Sequence, residues 1–212
     1  MKFLSRSLVI VFLFSVNSVF AQAWPAKQIT IVVPFAPGGN IDIVGRTVGK
    51  ELSQILKQPV IIENKPGAGG MVGATYVAKS KPDGYTFLVS SNGLVTTTLI
   101  RNDQQHKDDE LVPITLLTVA PSVIIANNNN PASNLKEFIT NLKASKDNRV
   151  VFATAGVGTT PHFVSALFKI AADADVEPIP YKSGVDTVTA LIGGQVQLAA
   201  ESTQVVTPKI KA

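Results

Sequence analysis

The sequence contains no cysteine and has few charged side chains. Of its 212 residues none is Cys, and Asp, Glu, Lys and Arg together account for 16%. The absence of Cys excludes disulfide bonds, a thiol nucleophile and the lipid-modified cysteine of an anchored lipoprotein. Stability must therefore come from an apolar core. With 45% hydrophobic residues, the composition is that of a globular protein with one large domain or two small ones.

Positive charge is in small excess only. The formal net charge is +4, and without Lys2 and Arg6 it falls to +2, from 17 basic and 15 acidic residues. A nucleic-acid-binding protein needs a dense basic face. We therefore expect no nucleic-acid partner.

Catalytic motifs are also scarce. Two histidines, His106 and His162, are far apart in the sequence, and there is neither an H-E-x-x-H metal pair nor a G-x-S-x-G nucleophile motif. Acidic residues are few at the predicted strand ends, so the sequence shows no pair of carboxylates for acid–base catalysis. The sequence thus favours binding without turnover, with no cofactor and no metal. An enzyme that acts on a carboxylate or phosphate is the alternative.

The N-terminus has the pattern of a secretory signal peptide. Lys2 and Arg6 precede an apolar run over residues 8–20, which ends in the small-residue triplet of residues 21–23. This pattern predicts a signal peptide over residues 1–23, with cleavage after Ala23 and export to the periplasm. An uncleaved membrane anchor is the alternative, because the run approaches the length of a spanning helix.

Strand and helix patterns alternate along the rest of the chain. Residues 28–35 predict a buried strand, and a helix with its apolar face on Ile41, Val44, Val48, Leu52 and Ile55 follows. Next come a strand at 59–64, a helix to about Ser80 and a strand at 85–91. Such alternation predicts parallel sheets flanked by helices.

A long apolar segment over residues 111–126 interrupts this alternation. It exceeds a typical strand and contains Pro121, which suits a strand that leaves one domain and enters another. We therefore predict a first lobe over 24–120 and a second over 121–212. In the second lobe, helices are predicted to begin after Asn134, near Thr160 and at Gly184, with strands at 149–156, 176–182 and 196–202.

The segment VPFAPGGN at residues 33–40 is a candidate binding turn. Pro34 and Pro37 stiffen it, Gly38 and Gly39 allow a ligand close to the backbone, and Asn40 or Asp42 could cap the next helix. The first N–H groups of a helix carry partial positive charge and favour a carboxylate or phosphate. An ordinary tight turn is the alternative reading. The nucleotide-binding patterns G-x-G-x-x-G and G-K-[ST] are absent.

A second turn of this kind joins a strand to a helix near residue 156. It supplies small residues, backbone donors and hydroxyls: Ala155, Gly156, Gly158, Thr159 and Thr160. His162 could donate to an anion from the first helical turn, or it could be a capping or packing histidine. Ligands of open α/β sheets bind at such strand ends. The two turns together predict an anion site between two lobes.

Other strand ends supply lesser candidates. They are polar residues that follow predicted strands: Ser90, Ser91 and Asn92, Tyr181 and Lys182, and Glu201 and Ser202. His106 lies in the polar run RNDQQHKDDE, which predicts a solvated loop.

Several ordered stretches resemble one known family. WPAKQITIVVPFAPGGNID, ENKPGAGGMVGA, KPDGYTFL, FATAGVGTTPH and PYKSGVDTVTALIGGQVQ are similar to the Bug-type receptors of tripartite tricarboxylate transporters. The similarity implies a type II-like, two-lobed periplasmic binding protein that captures a small carboxylate: a di- or tricarboxylate, an acidic amino acid or an aromatic acid. It also implies a monomer that delivers its ligand to transporter membrane subunits or to a sensor kinase.

The resemblance further implies which residues bind the ligand. By position, it places Phe35, Ala36, Pro37, Gly38, Gly39 and Asn40 on one lobe, with Ala155, Gly156, Gly158, Thr159, Thr160 and His162 on the other. Asp42 matches a family aspartate that we expect to brace the first turn, since an acidic side chain would repel an anion. Glu201 matches an often acidic position and is expected to contact a ligand ammonium or hydroxyl group.

The family pattern continues beyond the point that matches residues 209–212. It includes a strand that returns to the first lobe and completes its sheet and outer helices. We therefore expect this chain to lack the C-terminal part of the first lobe, which would expose a sheet edge. A truncated remnant with weak or no ligand binding is the resulting alternative to a functional receptor.

Overall fold

The structure is a computed structural model that describes residues 23–101, 103–145 and 147–210. The predicted signal peptide, apart from Ala23, lies outside the described residues. The strands are β1 Ile29–Val33, β2 Val60–Asn64, β3 Thr86–Leu88, β4 Ser122–Ala126, β5 Arg149–Thr154, β6 Asp175–Pro180 and β7 Leu198–Ser202. The α-helices are α1 Asn40–Leu56, α2 Met71–Ala78, α3 Gly93–Ile100, α4 Leu135–Ala144, α5 Thr160–Ala172, α6 Gly184–Ile192 and α7 Thr203–Ile210.

The first three strands form a parallel sheet in the order β2-β1-β3. The register aligns Ile31 of β1 with Ile62 on one side and Phe87 on the other. Ile29, Ile31, Val32 and Val33 of the central strand are buried, as expected for a parallel strand that is covered on both faces. This sheet and its helices form the first lobe.

The remaining strands form a second sheet in the order β4-β7-β5-β6. β5 is parallel to β6 and β7, whereas β4 runs antiparallel to β7. The largest core cluster lies under this sheet, where Phe152 of β5 packs against Phe168 of α5 and Phe168 against Phe138 of α4. This sheet and its helices form the second lobe, and the predicted α/β class with parallel-rich sheets is confirmed.

Helix α1 is present as predicted, and Ile41, Val44, Val48 and Leu52 of its predicted apolar face are half-buried, but the most buried residues lie beside that face. Its buried residues are Asp42, Gly45 and Gly49, and Ile55 is 72% exposed. The small side chains let the helix approach the sheet closely, so that a methyl group on Gly45 would lie 2.9 Å from Val33 Cγ2. The prediction for Ile55 was wrong because close packing, and not apolar spacing, decided which face is buried.

The caps of two helices in the second lobe have clear sequence origins. Asn134 Oδ1 accepts a hydrogen bond from the Glu137 N–H at 2.9 Å, which confirms the predicted start of α4. Ser183 Oγ accepts from the Asp186 N–H in the same way at the start of α6. Both caps satisfy N–H groups that a helix leaves unpaired at its first turn.

Two further predictions were wrong, and one helix was not predicted. Within residues 111–126 only β4 is a strand, and residues 112–121 pair with no strand among the described residues. The short helix α3 was not predicted, because its residues GLVTTTLI favour strand. His106 is 6% exposed, not solvated, and its Nδ1 lies 3.0 Å from Thr75 Oγ1 of α2.

The two lobes contact each other along a narrow seam. Thr96 Oγ1 of α3 donates to the Gly158 carbonyl at 2.8 Å, and Thr160 Oγ1 donates to Asn92 Oδ1 at 2.9 Å. Gly158 has φ +85°, and a methyl group there would lie 2.0 Å from Thr97 Oγ1. The second turn can therefore approach α3 only because residue 158 lacks a side chain.

No helix in the described ranges is both long and apolar enough to cross a membrane.

The phenylalanine cluster predicts a large difference between buried and exposed truncations. We expect Phe152→Ala to lower the free energy of unfolding by about 3–5 kcal/mol, because it removes a fully buried ring and leaves a cavity. Ile170→Ala, on the exposed side of α5, is the control and should change it by less than about 0.5 kcal/mol. Urea denaturation measures both, and equal shifts would contradict this assignment of the core.

Candidate functional site

A cleft of about 510 Å³ lies between the two lobes. Its walls come from the segments that follow β1, β3 and β5, the last residues of β7, Gly184 at the start of α6, and the connection over residues 115–120. This volume lies within the range of small-molecule sites, and its position at strand ends is the usual one in α/β folds. We take this cleft as the candidate binding site.

The cleft brings together many, but not all, of the residues that the sequence nominated. Those that line it are Phe35, Gly39, Asn40, Ser90, Ser91, Ala155, Thr159, Thr160 and Glu201, together with the lesser candidates Asn92 and Ser202. Those that do not are Ala36, Pro37, Gly38, Gly156, Gly158 and His162, together with Tyr181 and Lys182.

The β1–α1 turn presents the start of a helix to the cleft. Gly39 is the N-cap of α1, no side chain caps this helix, and Gly39, Asn40 and Ile41 all line the cleft. The prediction that Asn40 or Asp42 caps the helix was therefore wrong. The first N–H groups of α1 are left without a side-chain partner, which makes them available to an anion.

Asp42 accepts hydrogen bonds from three parts of the first lobe. Its Oδ2 accepts from the Gly38 N–H at 2.8 Å and from Arg46 Nε at 2.9 Å, and its Oδ1 accepts from Asn64 Nδ2 at 2.8 Å. Asn64 Nδ2 also donates to the Phe35 carbonyl at 3.0 Å. The carboxylate thus ties α1, β2 and the turn together, and it does not line the cleft.

This network also sets the ionisation of Asp42. Burial raises the pKa of this carboxyl, but the hydrogen bonds from Arg46, the Gly38 N–H and Asn64, with the charge of Arg46, outweigh burial and hold the pKa below its ordinary value. The carboxylate is therefore charged at neutral pH. The positive φ of +84° at Gly38 lets the chain turn its N–H toward Asp42.

The β5–α5 turn presents a second helix start from the opposite lobe. Thr159 is the N-cap of α5 and its hydroxyl donates to the Gly156 carbonyl at 2.6 Å, so it does not cap the helix. Thr159, Thr160 and Pro161 line the cleft. His162 Nδ1 accepts from the Gly158 N–H at 3.4 Å, which directs this ring at its own turn instead of the cleft.

Glu201 is the one charged side chain among the described residues that line the cleft. It is 7% exposed, and its Oε1 accepts a hydrogen bond from Thr187 Oγ1 at 2.8 Å. Burial raises the pKa of Glu201 to about 7, although the hydrogen bonds from Thr187 and the Ser202 backbone act in the opposite direction. Gly184 makes room for the carboxyl, because a methyl group there would lie 2.3 Å from Oε2.

Two further polar atoms of the cleft residues have unused hydrogen-bonding capacity. Asn40 Oδ1 and Ser202 Oγ are buried and have no hydrogen-bond partner among the described residues. Buried polar atoms in native proteins are normally paired. Unpaired atoms in cleft residues are therefore consistent with a site that a ligand or water completes.

The sequence analysis missed part of the cleft wall. Residues 115–120 line it, although the sequence predicted that this segment was a strand passing between lobes. Gly184, Ile41, Val44, Leu88 and Val89 were also missed. Thr115 and Thr118 were the available signal, because polar residues inside an apolar segment mark positions that face water or a ligand.

The described residues contain no group of three or more His, Asp or Glu side chains placed to hold a metal ion.

The sequence model of the tripartite tricarboxylate transporter family receptor matches residues 44–212. A curated Pseudomonas protein, described as a UPF0065 protein in the tcbD-tcbE intergenic region, is 35% identical over 185 residues, which cover 85% of this chain and 54% of that relative. This chain thus spans little more than half the length of that relative.

Solved structures of periplasmic binding proteins also match this chain. The periplasmic binding protein BugD superposes with a TM-score of 0.83 at 33% identity, over 89% of this chain and 63% of BugD. MatC from Rhodopseudomonas palustris, solved with bound malate, has a TM-score of 0.81 at 31% identity, over 89% of this chain and 64% of MatC.

The Asp42 network predicts a stability effect that a surface carboxylate would not have. Asp42→Ala leaves the Gly38 N–H without its acceptor and removes one of the two acceptors of Asn64 Nδ2, and we expect a loss of about 2–4 kcal/mol in the free energy of unfolding. Asp83→Ala, which removes an exposed ion pair with Lys27, is the matched control and should change stability little.

Acid unfolding provides a second test of Asp42. Because its pKa is lowered in the folded protein, its contribution is present above the unfolded-state pKa and is lost as pH falls through the folded-state value. Asp42→Ala should therefore flatten the acid limb of the stability curve. An acid limb identical to that of the wild type would contradict this account.

The raised pKa of Glu201 predicts the opposite dependence. The folded protein holds this proton more tightly than the unfolded chain, so stability should fall as pH rises from about 4.5 to about 7 and level off above. The difference between wild type and Glu201→Gln should change by up to about 3 kcal/mol over this window. Glu51→Gln, on the exposed surface of α1, is the control. Parallel wild-type and Glu201→Gln profiles would contradict the prediction.

Proposed function

We propose, from the premise that this chain belongs to the tripartite tricarboxylate transporter receptor family, that it is a periplasmic solute-binding protein for a small carboxylate. The observation that carries the proposal is the pair of helix N-termini, those of α1 and α5, which reach the cleft from opposite lobes without a side-chain cap. Their N–H groups and partial positive charge favour an anion between them.

The class of ligand follows from the donors being backbone N–H groups at two helix starts. Backbone N–H groups at two helix starts can hold one carboxylate group from both sides, while the apolar side chains of Phe35, Ile41 and Val44 contact the rest of a small molecule. The malate bound to MatC agrees with this class. Di- and tricarboxylates, acidic amino acids and aromatic acids are the candidate ligands, and the capture residues proposed are the predicted ones that line the cleft.

The remaining proposals follow from the family. Residues 1–23 serve as a signal peptide that is cleaved after Ala23, and the mature protein works as a monomer in the periplasm. It delivers its ligand to the membrane subunits of a tripartite tricarboxylate transporter or to a sensor kinase, without chemical change. We place the boundary between the lobes at residues 120 and 121, just before β4 begins at Ser122.

Gly39 offers a direct test of the site. It lines the cleft with φ −76°, and a methyl group there would lie 3.7 Å from the Ala36 carbonyl, which is an ordinary contact. Gly39→Val should therefore fold but place its side chain where the carboxylate binds. We expect at least a tenfold loss of affinity for any carboxylate that binds the wild type, as measured by isothermal titration calorimetry.

Gly39→Ala is the matched control, since its smaller side chain leaves more of the space free, and thermal denaturation shows whether both variants fold. Unchanged affinity in a folded Gly39→Val variant would remove the first turn from the site.

Recovery of chemically unchanged ligand after incubation distinguishes a receptor from an enzyme that acts in this cleft. A screen in which no carboxylate raises the melting temperature would contradict carboxylate binding by this chain.

A further inference from the structure

Glu201 has a position that carboxylate capture does not explain. A buried acidic side chain opposes the entry of an anion, yet this one lies in the wall of the cleft and is the one charged side chain among the described lining residues. No Lys, Arg or His lines the cleft in the described part of the chain. A ligand with one carboxylate would meet the helix starts, whereas a second carboxylate would meet no cationic side chain.

The surroundings of Glu201 supply hydrogen bonds but no positive charge. Thr187 Oγ1 donates to Oε1, and the Ser202 N–H donates from the strand itself. The neighbouring elements bring no cationic partner to Glu201. Asp186 of α6 accepts from the Ser183 hydroxyl, Arg149 of β5 pairs with Glu177, and His162 of α5 accepts from the Gly158 N–H. Lys169 of α5 and Lys209 of α7 are exposed. The strand β4, which pairs with β7, contains no titratable residue.

A buried carboxylate without a counter-charge is unfavourable unless a partner or a proton neutralises it. Without ligand, a proton can do so near neutral pH, since burial raises the pKa of Glu201 to about 7. A cationic group on the ligand would replace that proton. A hydroxyl group would accept or donate a hydrogen bond but would bring no charge.

We propose that Glu201 selects ligands that carry a protonated amine in addition to the carboxylate, and that it is the counter-ion of that amine. The inference rests on the proposed carboxylate-binding function of the same cleft. Glu201 is thereby a specificity-determining residue.

The test compares acids that share a carbon skeleton and differ in one group. Pentanoate, 5-hydroxypentanoate and 5-aminopentanoate form one set, and pentanoate, L-2-hydroxypentanoate and L-2-aminopentanoate form another with the group beside the carboxylate. Butanoate, 4-hydroxybutanoate and 4-aminobutanoate, and the corresponding hexanoates with the group at carbon 6, vary the length. We expect at least one amino acid of the set to bind the purified protein at least tenfold more tightly than the matching unsubstituted and hydroxy acids. Isothermal titration calorimetry provides the affinities.

Glu201→Gln keeps the shape and the hydrogen-bonding capacity of the side chain and removes its charge. It should weaken binding of the preferred amino acid at least tenfold and change binding of the unsubstituted acid by less than about threefold. Glu51→Gln on exposed α1 is the control and should change neither affinity. In the wild type, the preferred amino acid should bind more tightly as pH rises from 6 to 8, because Glu201 loses its proton in this range while the ligand amine stays charged.

The outcomes separate this inference from the function on which it rests. Acids that bind equally with and without an amine, or an amine preference that persists in Glu201→Gln, overturn the role of Glu201 and leave carboxylate binding in place. Equal affinity for the amino and hydroxy acids also overturns it. If Glu201→Gln does not fold, the wild-type amine preference and its pH dependence decide the question. Failure of every acid to bind overturns both proposals.

Discussion

The binding turn of the first lobe depends on one buried carboxylate. Asp42 is 2% exposed and holds the Gly38 N–H, Arg46 and Asn64 at once. A turn with a positive φ at Gly38 would otherwise leave an N–H group without a partner at the start of α1. Because Asn64 also donates to the Phe35 carbonyl, the same carboxylate fixes both ends of the turn. The carboxylate therefore holds the turn that borders the cleft, and Asp42 itself does not line the cleft.

The second lobe achieves a similar helix start by different means. Its turn is held by contacts with the first lobe, in which Thr96 and Asn92 bond to Gly158 and Thr160, and Gly158 fits against Thr97. The cleft therefore has its described shape only when the lobes are in contact. A change in the seam would move the α5 N-terminus relative to the α1 N-terminus, and with it the distance between the two groups of donors.

The electrostatics of the cleft differ from one end to the other. The starts of α1 and α5 supply partial positive charge from the backbone, whereas Glu201 supplies the one side-chain charge among the described lining residues. In the proposed function the backbone donors would hold any carboxylate, since they would contact a group that all candidate ligands share. Discrimination among ligands must then come from the rest of the wall, where Glu201, Ser202 and residues 115–120 lie.

The sequence by itself determined the order of most strands and helices, because apolar periodicity, prolines and cap residues such as Asn134 act locally. It also singled out the two turns that border the cleft, since their prolines, glycines and threonines are contiguous in the chain. It did not predict α3, whose residues favour strand. It also did not predict that His106 is buried against Thr75, because these two residues are 31 positions apart in the sequence.

Only the tertiary structure decided which side chains of those turns reach the cleft. Gly156 and Gly158 are used in the seam, His162 bonds to its own turn, and residues 115–120 form a wall where a strand was expected. The raised pKa of Glu201 likewise results from its burial in the folded protein. The physical reason is the same in each case: conformational preference is local, whereas burial and orientation depend on residues that are distant in sequence.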